Sequence, residues 1–124
     1  IADYARKLGF RREQQFSFQK KKVFYQVPYE DILYFQSAGR KVEIHMVREN
    51  KEFYGKLSEI LARGLPEQFV QIHQSYIVNT DFIVEFTRDW VCLKGEKGYF
   101  TISRTYRRAA MMRLKPLIMA EFVR

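Results

Sequence analysis

Between Phe69 and Ile83 the chain reads FVQIHQSYIVNTDFI. Two apolar runs, Phe69 to Ile72 and Tyr76 to Val78, flank a polar kink, His73-Gln74-Ser75, and Asn79-Thr80-Asp81 makes the turn that follows. Runs this short, bounded by turn residues, suit strands and are too brief for helices that bury a face. The same texture recurs along most of the chain. Phe16 to Gln19 and Val23 to Val27 form a hairpin around Lys20-Lys21-Lys22, read as a solvated turn, and Pro28 ends the second strand because it fixes φ and lacks an N–H. Ile32 to Phe35 is nearly continuous in apolar residues and fits a strand covered on both faces. Val42 to Val47 alternates and pairs with it across the loop Ser37-Ala38-Gly39-Arg40-Lys41, with His45 facing solvent or the sheet's outer side. Lys51 to Tyr54 follows as another short strand. Ile83 to Thr87, Trp90 to Leu93 and Tyr99 to Ile102 make a meander.

Helical periodicity is confined to three places. Ile1, Tyr4, Ala5 and Leu8 share a face ahead of Gly9. Leu57, Ile60 and Leu61 do so within Lys56 to Arg63, which Gly64 stops. A C-terminal helix from Arg104 to Arg124 carries Tyr106, Ala109, Ala110, Met112, Leu114, Leu117 and Ile118, and Pro116 should kink or divide it. The fold class expected is mainly β: about ten short strands in antiparallel sheets packed as a sandwich, with a short helix and a C-terminal helix. Residues 1–15 read as a connector and 16–124 as one domain. The chain starts on Ile1 with neither an initiator Met nor a charged-then-apolar signal pattern, so a preceding domain is expected.

Charge narrows the function. Lys and Arg number 22 against 14 acidic residues, a formal net charge of +8. An excess of this size points to nucleic acid or another anionic surface. The single cysteine, Cys92, cannot form an internal disulfide, so nothing demands an oxidising compartment and a cytoplasmic location fits. Within Trp90-Val91-Cys92-Leu93 it reads as a small buried hydrophobe, with a redox sensor as the alternative. No glycine-rich phosphate loop, GxSxG turn, CxxC or HExxH occurs, and the two histidines lie in different segments. Enzymatic activity, a metal site and a cofactor are therefore not expected.

Base-edge readout needs Arg, Lys, Asn, Gln or His side chains aimed into a groove, with hydroxyls, amides and cations on the phosphates beside them. Three polar loops meet that specification: Arg40 and Lys41 in the first, His73, Gln74 and Ser75 in the second, Ser103, Arg104 and Thr105 in the third. A plainer reading stands beside each. Arg104 could be a solvated helix start, Gln74 a phosphate contact, and His73 a structural residue that holds the kink by a side-chain hydrogen bond. Ser75 and Ser103 could be local caps. Asn79 reads as a turn former. Arg107 and Arg108 could neutralise phosphates or form a solvated helix face, and Arg88, in the turn between two meander strands, is set aside.

Several segments together carry a resemblance. Asp31-Ile32-Leu33-Tyr34-Phe35, Phe53-Tyr54-Gly55-Lys56-Leu57, Phe69 to Asn79 and Thr101-Ile102-Ser103-Arg104 follow in order, and the third follows the pattern F-x-R-[IC]-H-[RN]-S-[FY]-[LV]-V-N at eight of its eleven positions. Over roughly residues 16 to 108 the chain resembles the LytTR family, the DNA-binding output domain of many bacterial response regulators. The resemblance implies an elongated β-β-β arrangement whose loops enter successive major grooves. It implies groove readers in the Arg40/Lys41 loop, at Gln74 and at Arg104. It further implies a phosphorylatable receiver domain ahead of residues 1–15, direct repeats as the double-stranded target, and a homodimer on DNA. Three positions depart from the pattern: Gln71 stands where Arg is common, Gln74 where Arg or Asn is common, and Ile77 where the pattern has Leu or Val. The rival class is a basic protein-interaction or membrane-surface module using the same loops.

Overall fold

Among the described residues, ten strands make three antiparallel sheets accompanied by two α-helices. The computed structural model describes residues 14–119. Strands β1 (Gln15–Lys20) and β2 (Val23–Pro28) form a hairpin. Strands β3 (Ile32–Ala38), β4 (Lys41–Met46), β5 (Asn50–Tyr54), β6 (Phe69–His73) and β7 (Tyr76–Asn79) form a five-stranded sheet in the order β5-β4-β3-β7-β6. Strands β8 (Ile83–Phe86), β9 (Trp90–Leu93) and β10 (Phe100–Thr101) form the third sheet. Helix α1 is Leu57–Arg63 and helix α2 is Arg104–Met119. The β-rich class and the strand number expected from the sequence are what the fold has. The helix expected over residues 1–8 and most of the connector lie outside the described residues, and Gln15 already belongs to β1.

The five-stranded sheet is the middle layer, because both of its faces are apolar. Phe35, Val42, Ile44, Phe53, Phe69 and Ile77 point one way, into a cluster closed by Phe16 and Phe18 of β1 and by Leu57 and Ile60 of α1. Tyr34, Val70, Ile72 and Val78 point the other way, onto Val91 and Leu93 of β9, Ile102, and Ala110 and Leu114 of α2. Ile32 to Phe35 is buried residue by residue, as its unbroken apolar run requires of a central strand. A register shift between Ile32 and Tyr34 lets Leu33 and Tyr34 both join the second cluster.

Several local expectations need correction. His45 does not face solvent: its ring stacks on Tyr34 with centroids 4.2 Å apart, and its Nε2 lies 2.9 Å from Glu43 Oε1. The layer that covers Tyr34 gives the outer side of β4 an aromatic neighbour. Leu61 is 38% exposed, so α1 buries only Leu57 and Ile60. On α2 the buried stripe is Ala110 and Leu114 with Met111 and Leu117 beside it, while Met112 is 69% exposed. The helix is apolar on so many positions that only the docking partner, β6, selects its phase. Pro116 does not divide α2, which continues to Met119. The proline is exposed, and the carbonyl it leaves without a donor belongs to exposed Met112, where water can satisfy it. Lys21 and Lys22 form a two-residue turn with φ of 50° and 68°, the left-handed pair such a hairpin needs. Cys92 is half-buried and is not a core residue; burial and the adjacent Glu85 carboxylate push its thiol above the ordinary range, away from thiolate character.

Asn79 exceeds its expected role. Its Oδ1 accepts from the Asp81 N–H at 3.0 Å, as a turn former would. Its Nδ2 also donates to the Ile32 carbonyl at 2.8 Å and the Tyr29 carbonyl at 3.4 Å, and the residue is fully buried. One side chain thus ties the end of β7 to the entrance of β3.

Candidate nucleic-acid interface

Antiparallel pairing brings the three polar loops to one end of the middle sheet. β3 ends, and β4 begins, at the Gly39-Arg40 turn, where Gly39 supplies a φ of 64°. β7 runs antiparallel to β3 with Gln36 opposite Tyr76, so the Gln74-Ser75 turn falls at that same end. The Ser37 N–H donates to the Ser75 carbonyl at 2.9 Å and fixes the two turns against each other. The two turns are centred about two strand spacings apart, or ~10 Å. The third segment follows from a further backbone bond: the Ser103 N–H donates to the Ile72 carbonyl at 2.9 Å, which sets the start of α2 beside the end of β6. Along this end the order is therefore the Arg40 turn, the Gln74 turn, then Arg104.

Within each segment the side chains differ in how free they are. Arg40 is exposed and makes no side-chain hydrogen bond or ion pair among the described residues. Lys41 is engaged: its Nζ lies 3.0 Å from Glu52 Oε1 and 5.3 Å from the centre of the Tyr54 ring. Hydrogen bonding to Lys41 first, and its charge second, hold the Glu52 carboxyl below the ordinary range and raise Lys41 in turn. Of the two cations in the first loop, Arg40 is the one with free donors. Gln74 stands exposed at the tip of its turn. His73 holds the kink: its Nδ1 accepts from the Ser75 N–H at 3.0 Å and its ring packs on Tyr76 at 5.3 Å. With Nδ1 accepting, the neutral ring carries its proton on Nε2. The Ser75 backbone is spent on these two bonds. Arg104 and Thr105 are exposed in the first turn of α2. Ser103 departs from the expectation of a phosphate donor, because its Oγ is buried and has no partner. What that segment offers outward is the Arg104 fork and the Thr105 hydroxyl.

Two further residues reach this end that sequence reasoning passed over. Tyr54, at the close of β5, is 74% exposed beside Lys41. Its parity, opposite to buried Phe53 at a strand end, was the available signal. Arg88, set aside above, is brought alongside α2, where it lines a groove with Arg104, Arg107, Arg108 and Lys115. The Ile102 N–H donates to the Asp89 carbonyl at 2.8 Å, which moors the β8–β9 turn to the α2 entrance. No local signal in the sequence could have found this pairing. Chemically, the assembled end offers guanidinium, amide and hydroxyl groups outward with no converging acid–base pair. Among the described residues no His, Cys, Asp or Glu cluster could hold a metal ion.

Comparison with known proteins bears on the family and the fold. A profile of the LytTr DNA-binding domain matches residues 22–115. The fold is similar to a solved structure described as the LytTr DNA-binding domain of a methyl-accepting/DNA response regulator from Bacillus cereus. The TM-score is 0.69 at 16% identity, covering 82% of this chain and 96% of that one. No curated protein matches the sequence at a significant level.

Proposed function

We infer the function from the family: this chain belongs to the LytTR DNA-binding domains, a family of DNA binders and not of enzymes. The proposed activity is sequence-specific recognition of double-stranded DNA, as the output domain of a bacterial two-component transcriptional regulator. Arg104 and Gln74 read base edges in the major groove, Arg as a two-pronged donor to guanine and Gln as donor and acceptor to adenine. Arg40 reaches bases or phosphate from the first turn, with His73, Ser75 and Thr105 supporting backbone contacts and Lys41 held back from them by Glu52. The reading includes a receiver domain N-terminal to residues 1–15, direct repeats as target, two copies on DNA and a cytoplasmic location. The observation that carries it is the backbone linkage Ser37–Ser75 and Ser103–Ile72, which supports a single row of outward polar turns on a stiff sheet.

The test is a competition assay at about 150 mM salt, near physiological ionic strength. A duplex selected from a randomised pool should be displaced by itself. Random duplex, single strand and anionic vesicles should displace it far less well. Equal displacement by vesicles would favour a membrane-surface module and reject the reading. A second measurement probes the first turn. Glu52→Gln frees Lys41 and should tighten binding to every duplex a few-fold, steepening the salt dependence by about one phosphate's worth, a log–log slope near 0.9. Because the Glu52 carboxyl is held low, it stays ionised at neutral pH, and mild acid should not mimic the substitution.

A further inference from the structure

The groove beyond Arg104 adds a second cationic element to the interface. Arg104, Arg108, Met111 and Lys115 line it from α2, at spacings of four, three and four residues that keep them on one helix face. Arg88 faces them from the β8–β9 turn. Arg107 is the strut that holds these two walls together. Its Nε donates to the Arg88 carbonyl at 3.0 Å, and its Nη2 lies 3.1 Å from Asp89 Oδ1 and 3.4 Å from the Ile102 carbonyl. The charges of Arg107 and Asp89 therefore offset each other locally. Arg88, Arg104, Arg108 and Lys115 keep theirs: they are exposed and carry no side-chain hydrogen bond or ion pair among the described residues.

We propose that Arg88, Arg108 and Lys115 form a phosphate-backbone clamp, which extends DNA contact from the end of the sheet onto the flank of α2. The inference rests on the DNA-binding reading above and deepens it. Two features favour a nucleic-acid strand over a small anion. First, the cations are strung out: Arg104 and Lys115 are eleven positions apart on the helix, or ~16 Å at its rise per residue. A small carboxylate or phosphate needs donors that converge on one point. Second, the row starts at Arg104, a candidate base reader, so a backbone leaving that groove meets Arg108 and Arg88 next. Mobile cations on a phosphate strand add affinity without base preference. The division of labour is then explicit: Arg104 reads, and the flank holds.

The measurement is the salt dependence of binding for the folded domain, compared with a triple variant, Arg88→Gln, Arg108→Gln and Lys115→Gln. All three positions are exposed, and circular dichroism with a thermal melt checks that the fold is kept. The variant should flatten the log–log salt slope by about 2–3 on selected and random duplexes alike, and leave the order of preferred sequences unchanged. A companion with Lys at positions 88 and 108 should keep the parent slope, because phosphate contact requires charge and not a guanidinium fork. If the parent prefers its selected duplex while the triple variant retains the parent's slope, the clamp is refuted and the base-reading interface stands. If the parent shows no duplex preference, both fall.

Discussion

An Arg104→Ala domain is expected to bind its selected duplex about 1–3 kcal/mol more weakly, or roughly 5- to 150-fold, and to lose discrimination at one base pair. The side chain leaves the first turn of α2 at a point fixed by the Ser103–Ile72 backbone bond, and it is exposed and unpaired among the described residues. Truncation should therefore not disturb the core. Binding to random duplex should fall much less. Arg104→Lys separates charge from shape: it keeps the cation, and so most of the salt dependence, but it lacks the planar fork that matches the two guanine acceptors. Its preference at that base should resemble that of the alanine variant. Titrations of both variants on the selected site, and on single-base changes of it, provide the check. Unaltered preference in both would assign Arg104 to solvent.

Asn79→Ala should cost about 3 kcal/mol of folding stability, because it leaves a buried backbone carbonyl and a part-buried N–H without their partner. The Ile32 carbonyl and the Asp81 N–H lose their partner, and the weaker bond to the Tyr29 carbonyl goes with them. For a domain of this size the melting temperature should drop by roughly 10 °C. Asn79→Asp retains the acceptor for Asp81 but turns a donor into a second acceptor facing carbonyls, so it should be at least as damaging. Asn79 sits at the end of β7 away from the Gln74 turn. At a temperature where the variant is folded, its base preference should match the parent's. Chemical denaturation together with binding at low temperature distinguishes these outcomes. A loss below about 0.5 kcal/mol, ordinary for a surface position, would mean that water or a shifted backbone replaces the amide.

These two residues show where sequence reasoning reaches. The exposed place of Arg104 at the start of α2 was legible because it depends on local features: a cation at a strand-to-helix junction. Asn79 was legible only in part. Its bond to Asp81 is two residues away and follows from the chemistry of Asn in turns, whereas its bonds to Ile32 and Tyr29 span 47 and 50 residues. For His45, alternation named the side of the strand but not the Tyr34 ring that lies against it. On α2, Met111 and Met112 are adjacent and chemically equal, so nothing before docking could decide that Met111 turns inward. Lys41 looked as available as Arg40 until pairing of β4 with β5 delivered Glu52 to it.

Strand number, the double-sided burial of β3 and the three outward polar turns were determined by the sequence itself. Each rests on short-range chemistry: period-two alternation, turn residues and unbroken apolar runs act over a few bonds. The tertiary structure alone decided which cations stay free, which helix face is buried, and that Arg88 joins Arg104 along one groove. Those outcomes depend on strand register and layer docking, where groups far apart in the chain meet and either cancel or spare one another's charge.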